Sequence, residues 1–173
     1  GWTPLRPALE KIGKYYAKKT LTGAALPIGV ADPVQYSCQR NYAILTTDGY
    51  WNRHDEGNFR SGYVPTRLDG STAIGNPDSG VAIPRPIRDD GRLVKGNWIT
   101  GGAGEANTLA DIAQYFYLTD LRPGVPGSPG CIGAIAGQDV CENLVIPSGA
   151  DSAKYQHMTT YSLGLGVAGG LTY

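Results

Sequence analysis

Tyr42-Ala43-Ile44-Leu45-Thr46-Thr47-Asp48-Gly49 decides how the rest of the chain is read. The run is short, apolar at its centre, and closed by an Asp-Gly turn signal, which is the pattern of a buried strand of a parallel sheet. Upstream, Thr3-Pro4 is followed by Leu5, Ala8, Leu9, Ile12 and Tyr16. A capping hydroxyl, a proline at the first helical position and an apolar stripe at helical spacing predict a helix from about Pro4 to Lys18. Downstream, Asn107-Thr108 precedes Leu109, Ile112, Ala113, Phe116 and Tyr117, a second capped amphipathic helix that runs to Asp120 and is stopped by Pro123. Met158 to Val167 reads as another buried strand, with Gly164 and Gly166 on one face, where alternating glycines permit close approach of a neighbour.

The segments between these elements are long. Residues 22–36 are punctuated by Gly23, Pro27, Gly29 and Pro33 and read as a connection. From about Asn52 to Ala106, Gly and Pro recur every few residues among scattered charges, so the segment reads as an insertion; within it Leu93-Val94 and Trp98-Ile99 flank Lys95-Gly96-Asn97 as a candidate hairpin. A second insertion spans about residues 124–150. Helix, strand, insertion, helix, insertion, strand is the alternation of a doubly wound, mainly parallel α/β sheet. Two parallel strands leave both edges open and cannot stand alone in water. The missing strands are therefore expected from an upstream segment or another chain, and residues 1–173 are expected to be the C-terminal part of one domain.

Composition narrows the function classes. An apolar share of 41% over 173 residues suffices for a packed core, while 25 Gly and 12 Pro point to long irregular loops on a folded scaffold. The 15 basic and 15 acidic residues cancel and no basic run exceeds Lys18-Lys19, so nothing supplies the electrostatic footprint that nucleic acid demands. No apolar stretch approaches the roughly 20 residues of a membrane span. Gly1-Trp2-Thr3-Pro4 lacks the regions of a signal peptide, so any targeting signal is expected to lie upstream or to have been removed. Eleven tyrosines against two phenylalanines suit half-exposed positions better than a dry core.

Cys131 and Cys141 bracket a segment rich in Gly, Ala and Ile, without the His companions or paired C-x-x-C spacing of a zinc site. A disulfide loop is the better reading, and it favours an oxidising compartment; unpaired core thiols are the alternative. Cys38 is left over, either as a free buried thiol or as the partner of a cysteine outside this chain.

Three segments together carry a family resemblance. Gly1-Trp2-Thr3-Pro4-Leu5-Arg6-Pro7-Ala8-Leu9 resembles the G-x-T-P-L-x-x-A-L helix start of von Willebrand factor type A domains, Ala43 to Gly49 resembles their strand ending in T-D-G, and Tyr161 to Val167 resembles a later strand ending in I-G-x-G. Within that superfamily, Asp48-Gly49-Tyr50-Trp51-Asn52, the run Asn107 to Tyr117 with Thr119-Asp120-Leu121-Arg122-Pro123, and Gln156-His157-Met158-Thr159 resemble the PilY family of type IV pilus tip adhesins. The resemblance implies a von Willebrand factor A-like, Rossmann-like fold and a periplasmic, then pilus-tip location. It also implies roles in pilus assembly and attachment, with minor pilins or other tip components and a host or abiotic surface as partners. It makes Thr3 and Asp48 ligands of a metal-ion-dependent adhesion site for Mg²⁺ or Ca²⁺. No D-x-S-x-S precedes Thr3, so that site is incomplete in this chain.

Each candidate also has a plainer role. Asp48-Gly49 can be a turn and Thr3 a helix cap, and Tyr50-Trp51 either a binding platform or a cover for the sheet end. Asp89-Asp90-Gly91 lacks calcium-loop spacing and reads as a turn. His54 and His157 have no serine elbow, Cys-His pairing or H-E-x-x-H nearby, so neither is expected to be catalytic, and His157 is expected to be a hydrogen-bonded structural residue. A non-enzymatic adhesion and assembly module is the expected function. The alternative is a secreted carbohydrate-binding or hydrolytic domain that uses the Tyr- and Trp-rich insertion, although no paired carboxylate or nucleophile and base is assignable.

Overall fold

A computed structural model describes residues 4–47, 63–77, 92–94, 97–99, 106–133, 135 and 137–164. In chain order the elements are α1 (Leu5–Tyr16), β1 (Asn41–Thr47), β2 (Arg92–Val94), β3 (Asn97–Ile99), α2 (Leu109–Leu118), a 3₁₀ turn (Pro129–Cys131) and β4 (Met158–Gly164). β1 and β4 pair in parallel from Asn41 opposite Met158 to Thr47 opposite Gly164. Parallel neighbours need a long crossover. α2 lies within that connection and packs against both α1 and β4. The chain is thus a mixed α/β structure on a parallel strand pair.

The core sits between the two helices and one face of this pair. Leu9 and Ala17 of the α1 region, Ala43 of β1, Ile112 and Phe116 of α2, Leu121, Met158 of β4 and Ile74 are all buried in one cluster. The fully buried Ile74 belongs to the segment 52–106 that reads as an insertion, and Leu68 packs against the same cluster, so this segment contributes side chains to the core. Gly-rich punctuation marks turns, but it does not say whether a turn packs inward. Here two turns lock together: Gly23 and Gly70 both have positive φ, at 79° and 75°. A Cβ on Gly70 would fall 2.0 Å from the carbonyl carbon of Thr22, and one on Gly23 would fall 2.2 Å from the oxygen of Asp69. Only bare backbone fits there.

α1 buries Leu9 of the expected apolar stripe and packs Ile12 and Tyr16 against the core, but its buried face also takes in charged residues. Ala8 is exposed, whereas Glu10, Gly13 and Lys14 are buried beside Leu9. Gly13 permits the α1–α2 crossing, because a Cβ at this position would lie 2.5 Å from ring atoms of Phe116. Pro4 occupies the cap position of α1, one residue before the expected placement, and Lys18, just past the helix, takes a left-handed φ of 56°. α2 begins as expected at Thr108. Its hydroxyl accepts from the Asp111 N–H at 3.2 Å while the Asp111 carboxylate accepts from the Thr108 N–H at 2.8 Å, a reciprocal capping box.

The hairpin is also present, with β2 and β3 antiparallel and Val94 opposite Asn97. Asn97 therefore belongs to β3 rather than to the connection between the strands. β4 is described only to Gly164, and Leu165–Val167 of the expected strand lie outside the described residues.

Neither strand is buried on both faces. β1 alternates buried Asn41 and Ala43 with exposed Tyr42, Ile44 and Thr46, and β4 ends in four exposed residues. A strand is enclosed on both faces only when layers cover both, and among the described residues the helices lie on one.

Candidate functional site

The parallel pair has an outer face that is apolar and uncovered among the described residues. Alternation puts Tyr42, Ile44 and Thr46 of β1 on this face, opposite Thr159, Tyr161 and Leu163 of β4. Tyr42, Ile44, Tyr161 and Leu163 are 43%, 67%, 55% and 53% exposed. The two tyrosine rings lie against each other with centroids 6.0 Å apart. Contiguous apolar surface of this kind marks a contact site.

Thr3 and Asp48, the expected metal ligands, both lie outside the described residues, as do Tyr50, Trp51, His54 and Asp89-Asp90-Gly91. The described structure stops immediately beside them, at Pro4 before α1 and at Thr47 ending β1. The Tyr16 hydroxyl, in the last turn of α1, donates to the Tyr42 carbonyl at the start of β1 at 3.1 Å, so the end of the helix meets the beginning of the strand.

Cys131 and Cys141 form the expected disulfide, with Cα atoms 5.2 Å apart. The loop is shaped for it. The Val140 N–H donates to the Cys131 carbonyl at 2.8 Å, and Asp139 accepts from the Cys141 N–H at 2.9 Å and from the Gly127 N–H. Gly124 rests on the bridge, where a Cβ would lie 2.5 Å from the sulfur of Cys131 and 2.7 Å from that of Cys141. Asp139 and the two sulfurs lie within 4.8 Å of one another, the only such grouping of His, Cys, Asp and Glu among the described residues. The S–S bond removes both thiolates, so this grouping offers a metal no soft ligand. Cys38 is free and exposed, not a buried thiol.

His157 is buried and hydrogen-bonded through both ring nitrogens: Nδ1 lies 2.8 Å from the Tyr155 carbonyl and Nε2 3.0 Å from Asp151 Oδ2. Neither nitrogen is open to a substrate, which agrees with the structural role expected for it. The described tyrosines are all half-buried or exposed, and several use the hydroxyl to tie segments together, as Tyr115 does in accepting from the Leu68 N–H at 3.0 Å.

Two charged clusters escape sequence reading. In the first, the fully buried Lys14 donates to Glu10 Oε1 at 2.7 Å, to the Leu21 carbonyl at 2.7 Å and to the Thr66 hydroxyl at 2.6 Å. Glu10 accepts further from the Thr66 N–H at 3.1 Å and from the Tyr63 hydroxyl. The only signal is the i, i+4 Glu-Lys spacing, which ordinarily marks a solvated helix face. In the second, Asp32 accepts from both terminal nitrogens of Arg122 and lies 3.2 Å from Lys18 Nζ. Burial lowers the Arg122 pKa and Asp32 opposes that shift, while burial raises the carboxyl of Asp120 against the hydrogen bond it accepts from the Arg122 N–H. Arg122 lies just past α2 in the T-D-L-R-P run, and the pair holds this connection to the segment before β1.

These features define a class: a mixed α/β segment on a parallel strand pair, stapled by one disulfide and, among the described residues, open on one sheet face. No family model and no solved structure matches the chain. Among curated proteins it is 32% identical over 180 residues to a type IV pilus biogenesis factor PilY1 of Pseudomonas aeruginosa (strain PAK), and 30% identical over 172 residues to the PilY1 of strain UCBPP-PA14. Each alignment covers 99% of this chain but only 13% and 12% of the relative. The chain belongs to the PilY1 type, as a segment about an eighth of the relatives' length.

Proposed function

We propose that this chain is part of a von Willebrand factor A-like domain of a type IV pilus biogenesis factor, acting without enzymatic activity in pilus assembly and attachment. The similarity to PilY1 along 99% of the chain carries the reading. Its partners on this reading are minor pilins or other tip components and a host or abiotic surface. Its path runs through the periplasm to the pilus tip, and a Cys131–Cys141 bridge suits that oxidising route. The parallel strand pair and its packed helices are compatible with a larger doubly wound sheet, whose remaining strands would extend the open edges. The outer face with Tyr42, Ile44, Tyr161 and Leu163 would then receive the second layer of helices.

Replacing the genomic segment for this chain by a short linker tests the reading. Loss of surface pili and of attachment is expected, and normal levels of both would refute it. The metal site is tested separately by calorimetry with Mg²⁺ and Ca²⁺ on the longer protein. Asp48 brings a full charge and Thr3 only a neutral oxygen, so Asp48→Ala is expected to abolish binding. Equal affinity in the two proteins would make Asp48 a turn residue and end the adhesion-site reading. The chain alone is expected to bind either ion weakly or not at all, since Thr3 and Asp48 are too few ligands.

A further inference from the structure

The disulfide loop is held in shape by more than its bridge. The Cys131 N–H donates to the Ser128 carbonyl at 2.9 Å, and the Val140 N–H donates to the Cys131 carbonyl at 2.8 Å. The Gly133 N–H donates to the Gln138 carbonyl at 2.9 Å, and Ile132 pairs with Asp139 in an antiparallel bridge. Val140, 1% exposed, anchors the returning limb. None of these contacts uses a sulfur, so they favour the same 5.2 Å approach of the two cysteine Cα atoms in the dithiol.

Asp139 is fixed beside the sulfurs in the same way. Its Oδ1 accepts from the Cys141 N–H at 2.9 Å and its Oδ2 from the Gly127 N–H. An ionised carboxylate offers about four acceptor positions, so each oxygen keeps one for a further partner. A carboxylate oxygen and both sulfurs lie within 4.8 Å of one another. Sulfur and oxygen ligands at about 2.1–2.3 Å from a tetrahedral zinc stand roughly 3.5–4 Å apart, a spacing that small side-chain rotations reach from here.

The surroundings suit a bound ion. The Ser128 hydroxyl donates to Cys131 Sγ at 3.2 Å, and a hydrogen bond of this kind orients a metal-bound thiolate. The residues over the sulfurs, 123–127, are all exposed, and Gly124 brings no side chain against them. A fourth position would face solvent there, as in zinc sites with three protein ligands and a water.

We propose that the reduced form of this loop is a zinc site, with Cys131 and Cys141 as thiolate ligands and Asp139 as the third. An external dithiol passes two electrons and two protons to the bridge and itself becomes a disulfide. Zinc then displaces the two thiol protons to solvent. The loop thus has two alternative staples, a covalent one under oxidising conditions and a metal one before the bridge has formed. While zinc occupies both sulfurs, the bridge closes slowly.

Cadmium and zinc titrations of the full chain, kept reduced by a phosphine, test this. Cys38, free and exposed, is replaced in every sample by Cys38→Ser so that no third thiol takes part. The ultraviolet thiolate-to-cadmium band should rise to one ion per chain, and the oxidised chain should show none. Zinc affinity, read by competition with a chromophoric chelator, should fall about tenfold or more in Asp139→Asn. That variant should still form the bridge on oxidation, which shows that its loop is intact. Zinc should also slow bridge closure by oxidised glutathione, and do so less in the variant. No cadmium band in the reduced chain, one ion shared between two chains, or equal zinc affinity with and without the Asp139 carboxylate would overturn the site.

Discussion

The inner face of α1 and the outer face of the strand pair invert the usual arrangement. Glu10 and Lys14 are 2% and 0% exposed, while Ile44 and Leu163 are 67% and 53% exposed. The charged pair tolerates burial because every element around it supplies a partner: Leu21 from the following loop, and Tyr63 and Thr66 from a segment more than fifty residues away. The apolar face has no such partners among the described residues. One region is complete within this chain, and the other has the character of a surface that something else covers.

Breaking the inner region should have the largest effect. Lys14→Ala leaves the Glu10 carboxylate buried without its cation, and removing one partner of a buried pair costs about 3–5 kcal/mol. Urea denaturation should show that loss, and a change under 1 kcal/mol would mean that water reaches the site. The disulfide loop, whose cysteines are not part of the core cluster, provides a control. Reducing Cys131–Cys141 should cost about 2–3 kcal/mol by freeing the unfolded chain, and should leave the α1–α2 contact intact as seen by exchange at Phe116.

Gly13→Ala probes the same helix by overpacking. Its methyl would collide with the Phe116 ring, and a cost of about 1–3 kcal/mol is expected in the same denaturation assay. A stabilising effect would show that the two helices separate freely.

The outer face should respond in the opposite way. Ile44→Ser in this chain alone should change stability by no more than about 0.5 kcal/mol, as for an exposed site. In the longer protein the same substitution should cost about 2 kcal/mol or more, because a covering layer turns it into a core position. Equal effects in both proteins would mean that nothing packs on the face.

The smallest effect is expected at Asp69, in the turn that stacks on Gly23. Its carboxyl is held far below the ordinary range, first by the Thr72 hydroxyl and then by the N–H groups of Ser71 and Thr72. A depressed folded-state pKa means that the contribution is complete above the unfolded value, about 4, and is lost only as pH falls well below it. Exchange at Thr72 should therefore be flat from neutral pH to about pH 4. Loosening within that window would contradict the assignment.

What the sequence determined by itself was local. Thr108 with Asp111 marks a helix start because a cap is chemistry between residues three apart. Cys131 and Cys141 can be paired because they are only ten positions apart, with Gly133, Ala134, Ala136 and Gly137 between them. The apolar run at Tyr42–Thr47 fits a strand whatever lies beside it. Only the tertiary structure decided which sides of these elements are inside. The apolar stripe of α1 marked Leu9, Ile12 and Tyr16, which do pack on the core, but α2 and the 63–77 segment also close over Gly13 and Glu10, and nothing near Glu10 in the chain announces Thr66. Likewise nothing local to β1 says that one face lies bare, because the periodicity of a strand records which residues tolerate burial, whereas burial itself is made by elements far away in sequence.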